Sequence, residues 1–469
     1  MKFKRLAYAI PVAFAGIGAS NVHALDLYMD SKTKQIYAEP GPGRVSLGSF
    51  ERVDEAAGKP AVAEEQIREQ VKKEVQAATK DLPEVNTKGK LEFKSRDGNF
   101  KWKIGGRIHA QAGIYDNNRA DNGTPTDFNN GADLRRARIN IAAQLWKAWH
   151  FKLQYDFAGS GGVDAGLRDA FISYHNDQVW PFALTVGHFK EYFGLSSMSS
   201  SNDITFIERA LPTRVFMAPD ARRLGIGFAT HGHDLWTLAT GFYGKNASGE
   251  DIGGVEVERS DPAVFSGRFT LSPIHTNGRV LHLGASGSWL SLDDTTRFRE
   301  RPELTPGTTR LIDTGTLQNV DSMIRLGAEA LAIYGPFSLQ GEYVRTEVDR
   351  KRLSDPDFDG WYVQGSWILT GESRGYDFKN GTFKNPKPNS IVGQGGYGAW
   401  EIAARYSRLD LNDADVDGGR EENFTAGINW YPTPTFKFMA NYVNVLNVKG
   451  GSFTGAEPEG FLLRGQVVW

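Results

Sequence analysis

The chain has 469 residues, 12% of them aromatic, with 53 glycines and no cysteine. Without cysteine an exported chain has no disulfides, so its stability must come from strand pairing and packing. Its 54 basic and 56 acidic residues nearly cancel, which excludes a partner chosen by bulk charge; any preference for anions must come from where individual Arg and Lys side chains sit.

Lys2, Lys4 and Arg5 precede an apolar run from Leu6 to Ile17, and Val22-His23-Ala24 has the small-residue spacing of a signal-peptidase site. Residues 1–24 therefore read as a secretory signal peptide cut after Ala24, because a run of about a dozen apolar residues is too short to span a bilayer as a helix. Its removal takes away three basic residues and no acidic one, leaving 51 against 56. Residues 25–99 read as a periplasmic N-terminal segment with one helix over about 62–80. There Ala63, Ile67, Val71 and Val75 form a narrow stripe on a charged cylinder. Two readings stay open for it: a solvated linker helix, or a short coiled-coil seam that needs partner chains.

From residue 100 the hydrophobic period becomes 2. Trp102, Ile104, Ile108, Ala110, Ala112 and Ile114 share one face, and Lys103, Arg107, His109 and Gln111 share the other. The next segment sets Ala137, Ile139, Ile141, Ala143 and Leu145 against Arg136, Arg138, Asn140 and Gln144. An apolar face alternating with a polar one is the lipid/lumen pattern of a membrane barrel, which dilutes hydropathy to a mean of −0.42 without any apolar 20-mer. About sixteen such segments follow, starting near 100, 134, 149, 167, 182, 222, 234, 263, 279, 321, 336, 358, 397, 419, 434 and 460. The pattern predicts an all-β fold, a transmembrane antiparallel β-barrel over residues 100–469.

Short connections ("WKAW", "THGHD", "YGP", "YPTPT") alternate with long ones, the rhythm of periplasmic turns and outer loops. Residues 371–397 break it: a long stretch rich in Gly, Asn and Pro where a short turn is due. The closing "EGFLLRGQVVW" puts Phe461, Leu463, Val467 and Trp469 on one face, as in a final barrel strand.

Residues 190–221 are the candidate for a loop folded into the lumen. They mix apolar anchors (Phe193, Leu195, Ile207, Leu211, Phe216) with a Ser196–Ser201 run whose hydroxyls suit a constriction. Candidate anion ligands are Arg136 and Arg138, about 7 Å apart at i and i+2 on one strand face, with Lys190 opposite and Arg107 on the neighbouring segment. Guanidinium groups present planar donors that match oxyanions, and rings of Arg and Lys select anions in pores. The plain alternative is a set of charges balancing acids such as Asp133 and Asp169. Arg135 has the opposite parity, so it belongs at the strand end, turned to the interface or bent in with the loop. His231 and His233 in "THGHD" read as a solvated turn rather than a metal site, and no cofactor is implied.

In the same order along residues 100–469, "LRRARI…AWHFKLQYDF", "LTVGHFKEYFGL", "DITFIERALP", "LTGESRGYDF", "GAWEIAARYS" and "GINWYP" resemble the phosphate-selective porin O/P family. The resemblance implies an outer-membrane homotrimer of sixteen-stranded barrels. It also implies an anion site built from an Arg pair, here Arg135 and Arg136, and a loop lysine. That lysine would fall near Ser196–Ser197 and is missing; Arg168 replaces an acidic residue of the phosphate-specific members, and Arg138 and Lys190 add cations nearby. The expected function is passive diffusion of small solutes with a bias towards anions such as phosphate. The rivals are a non-selective porin, a barrel enzyme and a structural or adhesive barrel. For an enzyme there is no G-x-S-x-G and no evident Ser/His pairing.

Overall fold

The computed structural model describes residues 25–50, 68–74, 83–87, 91–159, 165–178, 180–217, 222–244, 255–256 and 263–469. The predicted signal peptide lies outside them. Compact units divide between Asp81 and Leu82. In the first unit, Leu25–Asp30 pairs antiparallel with both Ile36–Tyr37 and Arg44–Phe50 to make a small sheet, and residues 68–74 are helical and exposed. The rest of the predicted helix, with Ile67 and Val75, lies outside the described residues.

In the second unit sixteen long strands close into an antiparallel barrel. They are β1 (Phe100–Asp116), β2 (Gly131–Leu145), β3 (Trp149–Asp156), β4 (Gly166–Asn176), β5 (Phe182–Phe189), β6 (Arg223–Gly232), β7 (Trp236–Tyr243) and β8 (Ala263–Thr276). The second half comprises β9 (Arg279–Glu300), β10 (Leu317–Tyr334), β11 (Phe337–Arg350), β12 (Asp357–Ile368), β13 (Ala399–Asp413), β14 (Val416–Tyr431), β15 (Phe436–Lys449) and β16 (Glu459–Val468). Each begins within four residues of its predicted start.

The faces follow the period-2 pattern. Trp102, Ile108, Ile114, Ile139, Leu153, Ile172, Val186 and Ile226 are exposed on the outside, while His109, Arg136, Arg138 and Gln154 are buried inside. Rings cluster at the short-turn end of the strands. Trp149 meets Tyr174, Phe337 stacks on Trp367, and Trp400, Trp430 and Phe438 stack in series. This is the aromatic band expected at a membrane interface, where an amphipathic ring has one end apolar and one end wet.

β16 closes on β1, from Glu459 opposite Asp116 to Val468 opposite Arg107. The lower half of β1 instead pairs with Leu91–Lys94, which pairs with Glu84–Asn86. Closure ends on Trp469, whose backbone exchanges two 3.1 Å hydrogen bonds with Gly106. Gly106 is required there, since an added Cβ would lie 2.3 Å from the Trp469 ring. Deleting Trp469 removes both bonds and the ring over Gly106, and is expected to lower the yield of heat-modifiable barrel on gels. Full assembly of the truncated chain would show that closure does not depend on this contact.

Two connections fill the lumen. The β5–β6 loop packs Phe193, Leu211, Val215, Phe216 and Met217 against an apolar stretch of inner wall that includes Val264, Leu290, Phe298, Val344, Val348, Phe358 and Leu409. The long β12–β13 connection carries a small hairpin, Gly375–Asp377 paired with Thr382–Lys384. It turns inward, where Phe383 is buried with Leu195 and Ile204 of the other loop. Its length, anomalous for a turn, is thus accounted for by an inner surface to pack on.

Candidate functional site: a cationic cavity in the lumen

The β5–β6 loop lies across the lumen because its backbone and charges are tied to many strands at once. The Leu195 and Ser196 amides donate to the Glu342 carboxylate of β11 at 2.6 and 3.0 Å. Ile207 N donates to Asn441 Oδ1 at 2.7 Å, and Leu211 N to Glu303 Oε1 at 3.0 Å. Glu191 receives Arg223 and Arg325. These contacts tie the loop to β6, β10, β11, β15 and the β9–β10 connection, and open space remains beside it along β1–β5.

That space is a cavity of about 360 Å³. Among the described residues lining it are six cations, Arg107, Arg138, Lys152, Lys190, Arg209 and Arg222, and one acid, Asp169. Arg107 donates to Ser201 Oγ at 2.9 Å. Arg209 donates to the Ser196 and Ser199 carbonyls at 3.1 and 3.0 Å, and Lys190 to the Ser197 and Ser199 carbonyls. The acceptors in these bonds are uncharged, and the bonds orient the cations. Lys152 and Arg222 instead bracket Asp169, at 2.5 and 3.0 Å.

Two β-bulges set which arginines point inward. Between β1 and β2 the register runs from His109–Arg136 to Ala110–Leu134, leaving Arg135 as the extra residue. Between β3 and β4, Leu153 pairs with Ala170 and Tyr155 with Leu167, so Arg168 and Asp169 together oppose Gln154. A bulge re-aims one side chain against strand parity. Arg135, Arg136, Arg168 and Asp169 are all buried in consequence. Arg135 is thus bent in, at the bulge rather than at the strand end, and binds Glu208 of the loop, Nε to Oε1 at 2.9 Å. Glu208 also receives Arg214 and Arg464, each at 3.0 Å. Burial raises the Glu208 carboxyl, but Arg135, Arg214, Arg464 and Arg136 outweigh it and hold the group well below the usual carboxylate range.

The sequence candidates are therefore divided. Arg107, Arg138 and Lys190 meet in the cavity; Arg135, Arg136, Arg168 and Ser197 are not in its lining. Arg138 is bound by Asp156 at 2.6 Å, with Arg168 3.8 Å from the same carboxylate. The Ser197 hydroxyl turns back into the loop, donating to the Met217 carbonyl at 3.1 Å, while its own carbonyl receives Lys190. Lys190 thus brings an ammonium to the place where the family resemblance expects a loop lysine. Lys152, Arg209 and Arg222 were not singled out in the sequence. Lys152 shares the polar parity of Gln154 and Asp156 and was legible; Arg209 and Arg222 lie in a loop, where no period marks direction.

A closed barrel with an apolar outside, an ion-rich lumen and connections folded inward is an outer-membrane diffusion channel of bacteria, a porin. The chain belongs to the family "Phosphate-selective porin O and P", whose model matches residues 102–469. Porin O of Pseudomonas aeruginosa is 29% identical over 419 residues, covering 82% of this chain and 92% of that protein. An uncharacterized protein of Caulobacter vibrioides is 30% identical over 381 residues, covering 79% and 73%. Among solved structures, an anion-selective porin from Comamonas acidovorans aligns with a TM-score of 0.50 at 11% identity, over 79% of this chain and 100% of that one. A loop-deletion mutant of OmpT, an outer membrane protein of Vibrio cholerae, aligns with a TM-score of 0.51 at 10% identity, over 79% and 100%. These structural likenesses concern the fold.

Proposed function

We propose that this porin passes small anions, phosphate among them, through the β1–β5 cavity, and that it works as a homotrimer in the outer-membrane lipid. The observation that carries the reading is that the described residues lining the cavity include six cations and one acid, with Asp156 behind Arg138 as a further partner. In a narrow, partly dehydrated passage such an excess concentrates anions and repels cations, and Arg and Lys supply charge-assisted donors to oxyanion oxygens. Arg135 and Arg168 support it from behind, Arg135 tying the loop through Glu208 and Arg168 standing beside the Arg138–Asp156 pair, while Arg136 adds positive charge near Glu208. Ser197 contributes its carbonyl to Lys190 rather than a hydroxyl to the solute.

Reversal potential across a bilayer with a KCl gradient tests the reading on the intact chain. The expected sign is that of a chloride-selective channel, with chloride current reduced as phosphate is titrated in. A reversal potential near zero would favour a non-selective porin. Mass measurement of the detergent-solubilised protein tests the trimer.

A further inference from the structure

The cavity lining also has an apolar part that a bare inorganic ion does not use. Lining the same space as the cations are Phe171, Phe189, Tyr192 and Met198. Phe171 and Phe189 meet edge to face at 6.3 Å, and Phe189 and Tyr192 lie 5.9 Å apart. Phe171, Tyr192 and Met198 keep part of their surface accessible. Resting on the anion path proposed above, we propose that the cavity prefers small aryl anions, a flat apolar body with one carboxylate or phosphate head, over inorganic oxyanions.

Three observations carry this. First, Lys152 and Phe171 are direct cross-strand partners on β3 and β4, and partners on one face of an antiparallel pair have Cβ atoms roughly 5 Å apart. The two side chains therefore leave the wall next to one another, with the Lys152 ammonium held by Asp169 at 2.5 Å. The other partner of Phe171 is Gly187, which sets no side chain against that ring. Second, Lys190 and Tyr192 repeat the combination two residues apart at the start of the loop, and both line the cavity. Third, the volume exceeds the need of a single tetrahedral ion. An aryl body fills the remainder and releases water from the accessible parts of Phe171, Tyr192 and Met198, a gain unavailable to a charged tetrahedron.

The test is a paired block series on the full chain in planar bilayers: inorganic phosphate against phenylphosphate, and acetate against benzoate, each titrated into chloride current. The aryl member of each pair is expected to reach half-block at about tenfold lower concentration. Phe171→Ser with Tyr192→Ser should bring both ratios close to one. Phe171→Leu, which keeps apolar bulk, should retain most of the preference. The wild-type series decides by itself if a variant fails to assemble. An anion-selective channel that treats phenylphosphate and phosphate alike overturns the aryl preference and leaves the anion path standing. A channel without anion selectivity overturns both.

Discussion

Arg107→Ala combined with Lys190→Ala is expected to move the reversal potential markedly towards cations and to weaken phosphate block by about tenfold to a hundredfold. The lining falls from six cations to four against the single Asp169. A hydrogen bond from a charged donor is worth about 1.5–3 kcal/mol to an oxyanion. Two such bonds would exceed a hundredfold if dry, and water and salt in the lumen screen them below that limit. These two cations are the right pair to remove. Arg107 bonds the Ser201 hydroxyl and Lys190 bonds carbonyls, so their loss strands no carboxylate through those bonds. Arg138 is different, because its removal would leave Asp156 without its 2.6 Å partner. The double variant should still fold, since lumen substitutions tune selectivity while charges on the lipid face destabilise. An unchanged reversal potential would place the selectivity filter elsewhere in the lumen.

Glu208→Ala is expected to release the β5–β6 loop from the wall. Glu208 gathers Arg135 from the β2 bulge, Arg214 from the loop itself and Arg464 from β16, all within 3.0 Å. Removing one partner of a buried ion pair costs about 3–5 kcal/mol, because the remaining charge is left in a poor solvent. Here Arg135 and Arg464 would lose this carboxylate, while Arg214 keeps Glu300 at 3.1 Å. The loop should become open to limited proteolysis between residues 190 and 217 and the single-channel current should rise and grow noisy, while the barrel stays heat-modifiable. Full protection of the loop would show that its apolar anchors suffice. The pH dependence follows from the depressed carboxyl of Glu208. Its stabilisation is complete above the unfolded carboxylate value of about 4.3. It is lost only as pH falls through the lower native value.

The sixteen strands and their faces were legible residue by residue. Ile108 and Ile139 outside, His109 and Arg136 inside, each obey a signal carried by immediate neighbours, because every strand position meets either lipid or the lumen. The infolded loop was legible through Phe193, Leu195, Ile207, Leu211 and Phe216, apolar groups that a solvated loop would not hold; all are now buried. The N-terminal sheet was not legible, since Leu25–Asp30 and Arg44–Phe50 lack a clean alternation across a Pro/Gly turn.

What the sequence by itself determined is the barrel: strand number, order, closure and the sign of each face, all consequences of a period-2 pattern repeated with turns. What only the tertiary structure decided is which cations act together. The family resemblance paired Arg135 with Arg136, yet the bulge opposite His109 and Ala110 turns Arg135 to Glu208. The cavity takes its cations from β1, β2, β3, the loop and the residue before β6. The inward turn of residues 369–398, which sets Asn380 at the cavity edge, likewise has no local signature beyond length. The physical reason is range. Alternation is imposed between residues one and two apart, whereas the charge balance of a lumen depends on bulge positions, strand register and the packing of loops across the barrel, contacts separated by tens to hundreds of residues.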